Sequence, residues 1–332
     1  MKKTKREYWL CLVEILYFCI LNSLIMKRIF LSLCFLSVVA ILTAQNVTTE
    51  EFAVKDTNHL MMDVYQPTTT MPEGGYPCFI YVFGGGFKGG SRQEKLMIPA
   101  FQQLAQRGFV VVAIDYRLGL KGVTKMGVSQ VNTLEHAIRI AVEDLYSATS
   151  YLCQNAHKFQ INKDKIIISG GSAGAITALQ ADYLLHNQDV ATHLLPAGFR
   201  YAGVVSFSGA VFSRHGKVKY PNGNPAPTFI LHGTEDRLVP YGQIEFANIG
   251  FYGSSKLVKR FEKYHFPYYF KRMKGYGHEV ATLLPQMLDE IEFFYQNWVM
   301  ESKPLQVDET WFDADYVPVK WGTMKPGDLY KK

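Results

Sequence analysis

The chain has 332 residues, 48% of them hydrophobic and 14% aromatic, enough to bury a large core in one or two domains. Its formal net charge of +6 is unevenly placed. Residues 1–44 hold Lys2, Lys3, Lys5, Arg6, Lys27 and Arg28 against Glu7 and Glu14, so this stretch carries +4 and everything after Ala44 only +2. A body so close to neutral presents no case for nucleic acid, and no such partner is expected.

The first 44 residues read as a leader. Met26-Lys27-Arg28 is a basic start, Ile29 to Leu42 is apolar, and Thr43-Ala44-Gln45 ends on a small residue before a polar one. This is the layout of a secretory signal peptide cleaved after Ala44. Met26 is then the expected true start and residues 1–25 an upstream extension. The competing reading is a membrane helix, but Leu10 to Ile25 is short for a span and broken by Glu14 and Asn22. The expectation is an exported protein, periplasmic or secreted, with no stable membrane partner once the leader is removed. Of the five cysteines, Cys11, Cys19 and Cys34 fall in the leader, and Cys78 and Cys153 read as two buried free thiols. No metal-ligand spacing appears among these cysteines and the nine histidines, so neither a metal nor another cofactor is expected.

From residue 45 onward a single domain is expected. Phe52 to Val54 and Leu60 to Tyr65 read as antiparallel strands at one sheet edge. Pro77 to Phe83, Phe109 to Ile114, Lys165 to Ser169, Tyr201 to Phe207 and Thr228 to Leu231 are short apolar runs without polar alternation, as strands covered on both faces are. Pro267 to Arg272 reads as a further strand nearer an edge. Helices are expected over Arg92 to Arg107, with Gly108 just past its end, over Asn132 to Cys153, after Ser172, and from Leu284 to Val299. Asn132 with Glu135 has the spacing of a capping box. Such alternation implies an α/β fold with a mainly parallel central sheet and helices on both faces. Any lid is small or absent, drawn from Leu118 to Val131 and Val211 to Asn224. Residues 301–332, with Trp311, Phe312, Tyr316 and Trp321, read as a tail packing along the domain surface; gripping a polysaccharide is the second reading.

The glycine-rich stretch Val82 to Gly90 (VFGGGFKGG) follows a buried strand and admits two chemistries. Gly84-x-Gly86-x-x-Gly89 fits a dinucleotide loop, while the same backbone freedom can aim N–H groups at an oxyanion. The acid a dinucleotide fold would need, Asp115, lies 26 residues beyond Gly89, where about 20 is expected. Three other loops decide the matter. Gly170-Gly171-Ser172-Ala173-Gly174 is G-x-S-x-G between a strand and a helix, the context in which a nucleophilic serine sits on a tight turn. His232-Gly233-Thr234-Glu235-Asp236 follows the strand ending at Leu231, and Gly275-Tyr276-Gly277-His278-Glu279 follows the strand ending near Arg272. Ser172, Asp236 and His278 thus occur in the order Ser, acid, His, each past a strand's C-terminal end.

Residues 55–300 resemble an esterase of the α/β-hydrolase superfamily. The stretch Val82 to Phe87 is similar to the oxyanion loop of its hormone-sensitive-lipase-like and carboxylesterase-like branches. Asp115-Tyr116-Arg117-Leu118 and His232 to Pro240 (HGTEDRLVP) match strand-end signatures of the same families. The resemblance implies Ser172 as nucleophile, His278 as general base and acid, Asp236 as its orienting carboxylate, and the N–H groups of Gly85, Gly86 and Ala173 as an oxyanion hole. It implies hydrolysis of a small-molecule or polysaccharide-linked carboxylic ester, for example acetyl or feruloyl esters of plant polysaccharide. A serine peptidase or lipase on the same fold and a non-catalytic binding module are the alternatives. His232 is expected to tie down the acid loop, Asp115 and Arg117 to brace strand ends, and Glu143 and Asp144 to be solvated or structural. Two positions depart from the family pattern: Phe83 stands where many relatives carry His, and Gly171 where they carry an acid.

Overall fold

The computed structural model describes residues 47–124 and 130–317. The leader, its cleavage site, Trp321 and part of the first lid segment lie outside the described residues. A nine-stranded sheet runs through the molecule in the order β1-β2-β4-β3-β5-β6-β8-β11-β12. Its strands are β1 (Val47–Lys55), β2 (Asn58–Tyr65), β3 (Tyr76–Val82), β4 (Val110–Ile114), β5 (Ile161–Gly171), β6 (Gly203–Phe207), β8 (Thr228–Gly233), β11 (Tyr268–Met273) and β12 (Gln306–Trp311). β1 pairs antiparallel with β2 and β2 with β4; every other pair is parallel. β3, β4, β6 and β8 are buried along their whole length, the outcome their unbroken apolar runs require.

Helices α1 (Ile98–Gln106), α2 (Val131–Gln154), α3 (Ala173–Leu185), α4 (Ser254–Tyr264) and α5 (Leu288–Phe294) connect the strands, with a π turn continuing α5 over Tyr295–Met300. The chain steps from β3 through α1 to β4 in one direction along the sheet, and from β5 through α3 to β6 in the other. Right-handed crossovers therefore place α1 and α3 on opposite faces. The reversal falls between β3 and β5, which are hydrogen-bonded neighbours, and a crevice at the C-terminal ends of these two strands follows. The glycine-rich loop leaves β3 there, and Ser172 leaves β5.

Helix α3 is buried on every side from Ala173 to Tyr183, so it is a core element rather than an amphipathic surface helix. Its Gln180 pairs with the Phe212 backbone like a strand, donating to the carbonyl (3.1 Å) and accepting from the N–H (2.9 Å). This fastens a small antiparallel sheet, β7 (Ala210–Ser213), β10 (Ile249–Gly253) and β9 (Gln243–Phe246), to the rim of the main sheet. That sheet is absent from the sequence reading because β9 is wholly exposed and carries no burial pattern.

Three expectations need correction. Asn132 and Glu135 do not cap α2, whose N-cap is Gln130 with no side-chain cap; both instead accept hydrogen bonds from Arg214, at 2.6 Å for Glu135. The helix expected from Arg92 begins at Ile98, because residues 92–97 turn on themselves with Glu94 O accepting the Met97 and Ile98 N–H groups, and Pro99 then fits the first helical turn. Asp144 takes the structural one of its two expected roles: it is fully buried and held by Arg117 (2.9 Å) and Lys55 (3.1 Å). Finally, part of the supposed tail is β12, which extends the sheet beyond β11 from Tyr268↔Gln306 to Met273↔Trp311.

Candidate active site

Three loops meet at the C-terminal edge of the sheet. Ser172 occupies the turn between β5 and α3 with φ +55° and ψ −118°, a region few non-glycine residues tolerate. The turn is pinned by the Ser172 N–H donating to Phe207 O (2.9 Å) and the Ile176 N–H donating to Ser172 O (2.9 Å). Gly174 has to be glycine here, because a Cβ would lie 1.9 Å from Val82 O; this contact presses the Ser172 turn against the start of the glycine-rich loop.

The acid and histidine loops are zipped to each other by backbone. Thr234 N–H donates to Met273 O (3.1 Å), Glu235 N–H to Tyr276 O (2.9 Å), and Gly275 N–H to Thr234 Oγ1 (3.0 Å). His278 opens a 3-10 segment, His278–Thr282, and its ring lies between the other two groups. Its Nδ1 stands 2.7 Å from Asp236 Oδ2 and its Nε2 2.8 Å from Ser172 Oγ. The carboxylate can only accept, so Nδ1 carries the proton and Nε2 is left to accept from the serine hydroxyl. All three side chains are at least nine-tenths buried. Glu235, the other acid in the loop, is exposed and points its chemistry elsewhere.

Asp236 receives four donors. Oδ1 accepts the Leu238 and Val239 N–H groups at 2.9 and 3.0 Å; Oδ2 accepts His278 and shares the His232 Nε2–H, 3.2 Å away, with Val239 O, also at 3.2 Å. Burial pushes this carboxyl up, but the hydrogen bonds from His232 and His278 and their charges outweigh it, so it is held well below the usual carboxylate range. His232 is fully buried and fixed at its other end by Ser254, whose hydroxyl donates to Nδ1 at 2.6 Å. It ties the acid loop down, as the sequence suggests, and also contributes the fourth hydrogen bond to the acid.

Gly85 and Gly86, expected oxyanion donors, adopt φ +114° and +65° and are half-buried. Ala173 is the first residue of α3, so its N–H has no partner within the helix. The glycine-rich loop is braced by aromatic rings. Phe83 stacks on Tyr116 with ring centroids 4.4 Å apart, and the Tyr116 hydroxyl donates to Phe83 O at 3.1 Å. Phe87, in the left-handed region at φ +59°, packs edge-on against the same Tyr116. Tyr116 is thus a site residue that the sequence reading passed over; its position inside the Asp115–Leu118 signature was the available signal. Asp115 and Arg117 brace strand ends as expected: Asp115 accepts from Arg92 (2.6 Å) and the Met61 N–H (3.3 Å), and Arg117 holds Asp144. Cys78 and Cys153 are free thiols, Cys78 buried and Cys153 partly so.

A parallel-centred sheet flanked by helices, with Ser, Asp and His in hydrogen-bonded series past three of its strands, is the arrangement of the α/β-hydrolase fold. The chain is similar to esterases of that superfamily. The BD-FAE family model matches residues 62–212. An AB hydrolase superfamily protein of Schizosaccharomyces pombe is 32% identical over 111 residues, 33% of this chain and 28% of its own length. The fumonisin B1 esterase of Sphingopyxis macrogoltabida is 30% identical over 119 residues, 35% of this chain and 21% of its own. The chain therefore spans under a third of the length of these relatives. In fold, the esterase 2 of Thermogutta terrifontis with propionate bound is similar with a TM-score of 0.56 and 21% identity, over 77% of this chain and 95% of that one.

Proposed function

We propose that the protein is a serine hydrolase that cleaves carboxylic esters through an acyl-enzyme on Ser172. The observation that carries this reading is the unbroken series Ser172 Oγ, His278 Nε2, His278 Nδ1, Asp236 Oδ2, at 2.8 and 2.7 Å. Ser172 Oγ attacks the ester carbonyl as its proton passes to His278 Nε2, and the imidazolium is stabilised by Asp236. The N–H groups of Gly85, Gly86 and Ala173 hold the tetrahedral oxyanion; one such donor contributes about 2.7–4 kcal/mol in comparable sites. His278 then returns the proton to the departing alkoxide, which leaves as an alcohol. Water, deprotonated by His278, attacks the acyl carbonyl, and its collapse frees the carboxylic acid and restores Ser172.

The substrate class we infer is an acetyl or feruloyl ester of plant polysaccharide, met outside the cell after export by the leader. The similarity to the fumonisin B1 esterase and to the propionate-bound esterase 2 supports an ester substrate. A serine-directed fluorophosphonate tests the nucleophile: the wild-type chain is labelled and Ser172→Ala is not. Equal labelling of both overturns the assignment. Turnover of short nitrophenyl esters with none on acetylated xylan removes the polysaccharide substrate while leaving the esterase. N-terminal sequencing of the exported protein tests the leader, with Gln45 the expected first residue.

A further inference from the structure

The catalytic histidine loop is held from a direction the triad does not require. β12 runs parallel to β11 and ends at Trp311, whose carbonyl accepts the Lys274 N–H at 2.9 Å, where the loop leaves the sheet. The chain then turns back over the loop. The ring of Tyr316 stacks on Tyr276 with centroids 3.6 Å apart and planes 15° from parallel, and Trp311 meets the same Tyr276 edge-on at 5.5 Å. Beyond the stack, the Tyr316 hydroxyl donates to Glu279 Oε1, and the same oxygen accepts the Gly277 N–H at 2.6 Å. The residues immediately before and after His278 are therefore fixed by one carboxylate oxygen. The second oxygen of Glu279 is buried and takes no hydrogen bond among the described residues, so the carboxylate is oriented through Oε1 alone.

We propose that Tyr316 is a positioning residue for His278: it fixes Glu279, and through it the Gly277 N–H, so that the segment after β12 sets the reach of Nε2 to Ser172 Oγ. This rests on Ser172 and His278 being the reacting pair. Tyr316 is half-exposed and lies past the last strand, so Tyr316→Phe removes one hydroxyl and leaves both the stack and the sheet in place. Misplacing a catalytic group by about 1 Å can cost on the order of 100-fold.

The test uses full-length Tyr316→Phe, Glu279→Ala and the double variant, with melting temperature as the folding check. Against a nitrophenyl acetate, each single variant is expected to lose roughly 10- to 100-fold in kcat with KM unchanged. The double variant is expected to be no worse than the poorer single, because both cut one connection. The far-downfield proton resonance of the His278–Asp236 hydrogen bond is expected to broaden or vanish in both singles. Wild-type kcat in Tyr316→Phe, strictly additive losses, or a rise in KM at constant kcat overturns the proposal. If the wild-type chain hydrolyses no ester, the functional reading fails while the resonance still decides: a line unchanged in both variants rejects the positioning role.

Discussion

The carbonyl oxygen of Ala281 stands 2.2 Å from the point that a Cβ on Gly171 would occupy. The residue before the nucleophile therefore packs directly against the backbone of the 3-10 segment that carries His278. Here the backbone itself fills the space that a side chain would take. Gly171→Ala should push the segment away, costing about 1–3 kcal/mol of stability as overpacking does. The loss in kcat should be far larger than the loss in melting temperature suggests. Parallel kinetic and thermal measurements check this.

The aromatic brace of the oxyanion loop gives a second expectation. Tyr116→Phe keeps the stack on Phe83 and removes the hydrogen bond to its carbonyl. A single buried hydrogen bond contributes about 0.5–1.5 kcal/mol, so stability should fall by that amount and kcat severalfold, with KM little changed. Phe83→Ala keeps that carbonyl but removes the ring contact and should cost about 3–5 kcal/mol in stability, read from urea midpoints.

His232→Ala should act through Asp236. The carboxylate would keep three donors and lose one, while the Ser254 hydroxyl would lose its acceptor. A hydrogen bond to a charged group contributes about 1.5–3 kcal/mol, which sets the expected destabilisation at neutral pH. The sign with pH follows from the depressed carboxyl. Its contribution is present above the ordinary value of 3.8 and is lost as pH falls through the lower folded value. Removing His232 raises that folded value, so the variant should lose stability earlier on acidification than the wild type. Urea midpoints below about pH 5 check it.

Glu94 should make the fold weaker at neutral pH than in mild acid. Burial pushes its carboxyl up to about 7, against a smaller opposing hydrogen bond from the Ser91 backbone. Between the ordinary 4.5 and about 7 the folded chain holds a proton that the unfolded chain has released. Its contribution is therefore complete below 4.5, declines as pH rises through the folded value, and is flat above it. Glu94→Gln should abolish this decline and gain about 2–3 kcal/mol at pH 7 and above, measured by urea unfolding across the range.

How much of this was readable in advance depends on where the information sits. Ser172 and Asp236 were legible because each follows a buried strand with a run of apolar residues, His278 because it follows the aromatic run of β11, and all three because parallel strands bring their C-terminal ends to one edge. The α2 capping box failed because Asn132 and Glu135 serve an arginine 82 and 79 residues away, a partner that local spacing cannot reveal. β12 failed for a different reason: Gln306 to Trp311 is an edge strand whose residues are mostly exposed, so its pairing with β11 leaves no hydrophobic signature. Tyr316 and Tyr116 act through hydrogen bonds to partners 37 and 33 residues off, and only the fold brings those together.

Ser172 carries a consequence of its own. Its left-handed backbone, at φ +55°, is worth about 1–3 kcal/mol of strain in a non-glycine residue, and the surrounding contacts hold it there. One substitution, to glycine, would release that strain and abolish the hydroxyl together. At this residue, robustness and turnover pull the chain in opposite directions. A scaffold kept only for binding would be sturdier with glycine at 172, and the present chain forgoes that sturdiness.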